Sequence, residues 1–166
     1  TLTISALNAS TVTVSGANGD TGHTLGLGTL DTDTTTLDAG SYRGILTAQA
    51  SATSTTVTLR GGKAHDVTGG AGNDTFTIST GVAQYNVDGG AGTDSLAMTV
   101  NGTVAADDIV NFETSTITVS SSADAVIDLA TTEYVNDADF TTLTVTGGNG
   151  ISTFTMGGAA MGAGGP

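Results

Sequence analysis

Two stretches of the chain repeat one pattern. Gly69-Gly70-Ala71-Gly72-Asn73-Asp74-Thr75-Phe76-Thr77 and Gly89-Gly90-Ala91-Gly92-Thr93-Asp94-Ser95-Leu96-Ala97 both fit G-G-x-G-x-D-x-U-x, where U is a large apolar residue. They lie 20 residues apart. The chemistry open to such a pattern is cation binding by oxygen. Glycines let the chain bend with its carbonyl oxygens turned inward, and Asp closes the bend with an anionic oxygen. Calcium takes about 6–8 oxygen ligands at roughly 2.3–2.6 Å and tolerates irregular geometry. One bend supplies half a shell, and a second bend stacked one repeat above supplies the other half. The spacing therefore predicts a Ca2+ ion between Asp74 and Asp94. Backbone oxygens would come from Gly70, Ala71, Gly72 and Asn73 on one side and from Gly90, Ala91, Gly92 and Thr93 on the other.

Two further stretches are incomplete copies. Gly61-Gly62-Lys63-Ala64-His65-Asp66-Val67 has Ala at the third glycine and is one residue short, and its Asp66 is a further candidate metal ligand. Gly147-Gly148-Asn149-Gly150-Ile151-Ser152-Thr153-Phe154 keeps the glycines but has Ser152 where Asp belongs, which predicts a turn without metal. Asp20, Asp88, Asp107 and Asp108 are weaker candidates and read as solvated. Residues 69–77 and 89–97 resemble the RTX (repeats-in-toxin) calcium-binding family and its relatives in bacterial surface-layer (S-layer) proteins. The phrases Asn111-Phe112-Glu113-Thr114 and Leu143-Thr144-Val145-Thr146-Gly147-Gly148 are similar to those of surface-layer proteins. The resemblance implies a right-handed parallel β-roll, export by type I secretion, and folding triggered by calcium outside the cell. The repeat here is longer than the family's usual coil.

Catalysis has little to work with. Only His23 and His65 could serve as a base at neutral pH. His65 stands next to Asp66, but neighbours on a strand point to opposite faces. No nucleophile elbow or zinc-protease motif is present. The chain has no cysteine, which excludes disulfides, thiol catalysis and Cys-ligated zinc. It reads as a protein that is not an enzyme. Its 16 acids face 3 bases, Arg43, Arg60 and Lys63, for a formal net charge of −13. Binding a nucleic-acid backbone needs clustered Lys and Arg, so nucleic acid is excluded as a partner. Metal cations suit this balance. Of the acids 14 are Asp, whose short side chain serves tight turns and metal loops. No apolar run reaches the ~18 residues of a membrane-spanning helix. Thr1 is not followed by a charged-then-apolar signal peptide, so the chain reads as mature or as part of something longer.

The elements that must hold these bends are strands. Apolar residues alternate with Thr in Thr11-Val12-Thr13-Val14, Thr56-Val57-Thr58-Leu59, Thr75-Phe76-Thr77-Ile78, Thr116-Ile117-Thr118-Val119 and Thr142-Leu143-Thr144-Val145. Period two with β-branched residues means strands with one buried face. Short apolar clusters recur every ~9–12 residues, so two strands make a coil of ~20 residues, as in parallel β-helices and β-rolls. The fold expected is all-β: a parallel β-helix or β-roll solenoid with roughly 20-residue coils. Residues 1–60 form an N-terminal β-rich part continuous with the solenoid, 61–156 the RTX-like calcium-binding solenoid, and 157–166 a Gly/Ala-rich linker or tail. The stretch from Leu30 to Gly40 is less regular and reads as an insertion or decorated loop. Asp128 to Tyr134 is the one weak helical candidate.

The function expected is structural: a calcium-binding module of a secreted protein at the bacterial cell surface, self-assembling in an S-layer or filament. Its partners would be copies of itself and calcium ions, with cell-surface polysaccharide as a further candidate. The alternatives are an adhesin or ligand-binding module, and the non-catalytic calcium-binding domain of a type I secreted toxin or protease. Without calcium, an acidic Gly/Thr-rich chain has too little apolar surface to offset the entropy of ordering.

Overall fold

The computed structural model describes residues 2–4, 7–16, 23–51, 53–60, 65–79, 86–100, 104–105, 108–119, 125–129, 142–147 and 151–156. Every regular element among them is a strand. In chain order these are β1 (Leu2–Thr3), β2 (Thr11–Ser15), β3 (Thr24–Thr29), β4 (Thr36–Ser41), β5 (Ile45–Gln49), β6 (Thr56–Arg60), β7 (Asp66–Thr68) and β8 (Thr75–Ser79). Then follow β9 (Asn86–Asp88), β10 (Ser95–Val100), β11 (Val104–Ala105), β12 (Asp108–Val110), β13 (Thr114–Val119), β14 (Ala125–Leu129), β15 (Thr142–Gly147) and β16 (Ile151–Met156).

These strands stack as a parallel β-solenoid. The first sheet runs β1-β3-β5-β7-β9-β12 and the second β2-β4-β6-β8-β10-β13-β15. A third, β11-β14-β16, adds another face to the later coils. Each strand pairs in parallel with its counterpart one coil away. Thr36 faces Thr56, Thr56 faces Thr75, Thr75 faces Ser95 and Ser95 faces Thr114, so each central coil advances 19 or 20 residues. Thr11 faces Thr36 and Thr114 faces Thr142, so the outer coils carry longer connections.

The alternation read from the sequence is the packing. Val57 and Leu59, Phe76 and Ile78, and Leu96 and Met98 point inward from the second sheet, while Leu46, Val67, Val87 and Ile109 meet them from the first. Burying each such side chain stabilises the fold by about 1.5–3 kcal/mol. Within the core, Phe76 and Phe112 make an edge-to-face pair with ring centroids 5.2 Å apart. The second sheet runs unbroken from β2 to β15, so strands on both sides of residue 60 share one ladder.

Two local readings need revision. Within Leu30 to Gly40, only the first part is a loop: Asp31 accepts the amides of Asp33 and Thr34 in a turn. From Thr36 the chain joins the ladder as β4, because Leu37 and Ala39 alternate inward as other coils do. Asp128 and Leu129 belong to β14, not to a helix, and residues 130–134 lie outside the described residues. Residues 157–166 lie outside them as well.

Candidate functional site

The two glycine bends occupy the same corner of consecutive coils. The first joins β7 to β8 and the second joins β9 to β10. They stack directly. Ala91 N donates to Gly70 O at 2.9 Å, Thr93 N to Asn73 Oδ1 at 3.0 Å, and Ser95 N to Asp74 O at 2.9 Å. This close approach is what the glycines serve. A Cβ on Gly69 would lie 1.9 Å from Gly89 O, and Gly90 holds φ at +96°, in the left-handed region that side chains avoid.

The Asp carboxylates turn into the solenoid. Asp74 is 1% exposed, Asp94 0% and Glu113 7%. Asp74 Oδ1 accepts from Thr55 N at 2.6 Å and its Oδ2 from Gly70 N at 2.7 Å. Asp94 Oδ1 accepts from Asp74 N at 2.6 Å, and Glu113 Oε2 accepts from Asp94 N. Each acid therefore takes the corner amide of the coil before it. The same corners are joined again through the backbone, since Thr75 N, Ser95 N and Thr114 N donate to Thr55 O, Asp74 O and Asp94 O. Each step of this ladder carries one backbone and one carboxylate bond.

Asp94 is the position where this ladder is incomplete. Its Oδ2 is buried without a hydrogen-bond partner. Burial pushes its carboxyl up to about 6, against the lowering effect of the Asp74 amide bond, and the charges of Asp74, Glu113 and Asp88 push the same way as burial.

The other candidates sit elsewhere. Asp66 is exposed on the outside of the first sheet, where it accepts from Asn86 Nδ2 at 2.9 Å. It is not brought together with Asp74 and Asp94, which face inward. His65, its neighbour, is buried. His65 Nδ1 accepts from Leu46 N at 3.1 Å and its Nε2 lies 2.8 Å from Arg60 O, an arrangement that suits the neutral ring protonated at Nε2. Asp88 accepts from Gly90 N at 2.9 Å and from Asn111 Nδ2 at 2.8 Å, so it braces the second bend. The glycines of the incomplete copies at 61–62 and 148–150, with Asp20 and Asp107, lie outside the described residues. Asp108 opens β12.

Sequence reasoning missed Glu113 as a site residue. The signal was present. Glu113 follows Asp94 by 19 residues, and like Asp74 and Asp94 it directly precedes a hydroxyl residue that opens a strand. What hid it was the lack of glycines before it: Asn111, at φ 57°, takes the left-handed corner conformation there.

A calcium ion asks several oxygens to face one point. The backbone bends stack as the spacing predicts. Asp74, however, commits both carboxylate oxygens to amides, while Asp94 keeps one. Among the described residues no group of three or more His, Asp or Glu side chains gathers as a metal shell. Asp94 Oδ2 is the buried carboxylate oxygen left without a hydrogen-bond partner among the described residues, and so the oxygen best placed to take a cation. No family model, no curated protein and no solved structure matches the chain.

Proposed function

We propose that this chain is a calcium-stabilised structural module of a secreted bacterial surface protein, similar to RTX repeats, that assembles with copies of itself in a lattice or filament. The observation that carries this reading is the pair of G-G-x-G-x-D bends stacked one coil apart over a buried, incompletely bonded carboxylate.

The chain's own residues do most of the work. Thr55, Asp74, Asp94 and Glu113 stitch neighbouring coils at one corner, through side chain and backbone together. Asp88 and Asn111 brace the bend from the other sheet. The same ladder brings like charges together in a chain of net charge −13, which opposes folding. Asp94 and backbone oxygens of residues 90–93 would hold a calcium ion, whose positive charge would offset this repulsion. Binding only the folded state then stabilises it by mass action. Extracellular calcium modules work at about 10⁻⁴–10⁻³ M, a range that distinguishes the outside of a cell from the cytosol. For assembly, β2 and β15 each have one ladder partner among the described residues and offer open backbone edges.

The test is a circular-dichroism titration of chelator-treated protein with calcium, repeated in magnesium. A cooperative gain of β signal near millimolar calcium, absent with magnesium, is the expected result. A fold complete in chelator and unchanged by calcium would leave the bends as glycine turns and the module as a metal-independent scaffold or adhesin.

A further inference from the structure

The two large faces of the solenoid differ in chemistry. On the outside of the second sheet, the register lines side chains up in straight ranks. The first rank runs from Thr11 on β2 to Thr142 on β15 and has a hydroxyl on all seven rungs, Ser95 being the one serine. The second rank, two residues further along each strand, is Thr on five of the seven, with Asp38 and Ala97 the exceptions. Thr11, Thr13, Thr75, Thr77, Thr142 and Thr144 are exposed. Across both ranks Asp38 is the only charge, and Arg60 lies on the same face two residues further along β6. The outside of the first sheet, by contrast, carries Asp66, Asn86 and Asp88.

Strand propensity accounts for a threonine at any one rung. It does not by itself align them: through the register between coils, hydroxyls occupy twelve of the fourteen positions in the two ranks. The arrangement is also rigid. Threonine is β-branched and restricted at χ1, and Ser95 Oγ donates to Thr75 Oγ1 across rungs at 3.2 Å. Parallel rungs lie ~4.8 Å apart, and alternate residues of one strand ~6.6 Å apart. The result is a rectangular net of hydroxyls and methyls at fixed intervals, interrupted by Asp38 and Ala97.

The geometry points to an ice-binding face. Crystalline water repeats its oxygens on a net whose shorter interval is close to the rung spacing. Hydroxyls on the net can take lattice positions while the methyls between them order the intervening water, and little side-chain entropy is lost because the net is already fixed. Charged side chains would hold their own hydration shells and break the match. Other occupants fit less well. A polysaccharide is bound mostly through aromatic rings and concave clefts, and neither rank carries an aromatic residue. A second copy would have to desolvate ranks of hydroxyls with no apolar centre to drive association. This inference stands apart from the calcium reading, because the ranks lie on the strands and not in the bends.

The test uses the full chain, kept in calcium throughout, with its folding checked by circular dichroism. A single ice crystal is grown in the protein solution just below its melting point. Faceted growth, a gap between melting and freezing temperatures, and inhibited recrystallisation are the expected results. Thr58→Lys with Thr77→Lys, neighbours in the second rank, should abolish them. Gln49→Lys, exposed on the first sheet, should leave them intact. The milder pair Thr58→Val and Thr77→Val keeps the strand shape if the lysines prevent folding, and should also lose activity. A folded parent chain that leaves ice round and freely growing would overturn the proposal. So would folded second-rank variants that match the parent, or a parent chain that ignores ice and sediments with insoluble polysaccharide instead.

Discussion

Asp94 stands between Asp74 and Glu113 in the corner ladder, with one oxygen bonded and one not. Its carboxyl is held up to about 6, chiefly by burial. The folded state therefore keeps this proton at a pH where the unfolded chain has lost it. The stabilising contribution is fully present below the ordinary carboxylate range and is lost as pH rises through about 6. In chelator, the melting temperature should be higher at pH 5 than at pH 7 from this residue. Asp94→Asn keeps an oxygen for the Asp74 amide and removes the charge, so it should flatten that slope and raise the melting temperature at pH 7. Under the proposed function it should also weaken the response to calcium. Asp74 behaves differently, since both of its oxygens are in use. Asp74→Ala leaves the amides of Thr55 and Gly70 without their partner, at about 1–3 kcal/mol for each that stays buried. Urea unfolding in chelator measures that loss with no metal involved.

At the scale of the element, a bend works here only because two coils nearly touch. Gly69→Ala would drive a methyl into Gly89 O, which neither coil can yield without breaking the ladder beside it. A loss of at least about 3 kcal/mol is expected, at or beyond the upper end for overpacking. Ala71→Ser, exposed in the same bend, should stay within about 0.5 kcal/mol of the parent. Comparing the two by urea unfolding separates the requirement for close stacking from a general sensitivity of the bend. The motif was legible because glycine, Asp and a following apolar residue recur at fixed offsets. Its Asp residues were read as ligands alone, because sequence spacing places a carboxylate at a corner but does not say which way it turns. Burial decided that. The amide of the preceding coil lies within reach of each acid and would otherwise be left unpaired inside the solenoid.

In the whole molecule each coil touches mainly the coils on either side, so stability builds by nearest neighbours along the stack. Phe76 sits in the middle of that stack, fully buried, against Phe112. Phe76→Ala should cost about 3–5 kcal/mol. Hydrogen exchange should show the loss first in β6, β8 and β10, with β2 and β4 less affected. A uniform loss of protection from β2 to β15 would mean that the solenoid unfolds as one unit instead.

Periodicity and spacing were enough to read the fold class, the coil length and the corners. Alternation at period two marks the buried face, and a repeat of ~20 residues leaves little besides a stacked coil. Alternation also placed His65 and Asp66 on opposite faces, as the structure has them. What the corner acids do, and which residues join them, depends on how the coils pack against one another. Glu113 joins Asp74 and Asp94 through register between coils, and the β4 strand joins the ladder despite the irregular stretch before it. The hydroxyl ranks have the same origin. Every Thr-x-Thr pair is visible in the chain, but the connections between them vary from coil to coil, and only hydrogen bonding between parallel strands aligns them into one face.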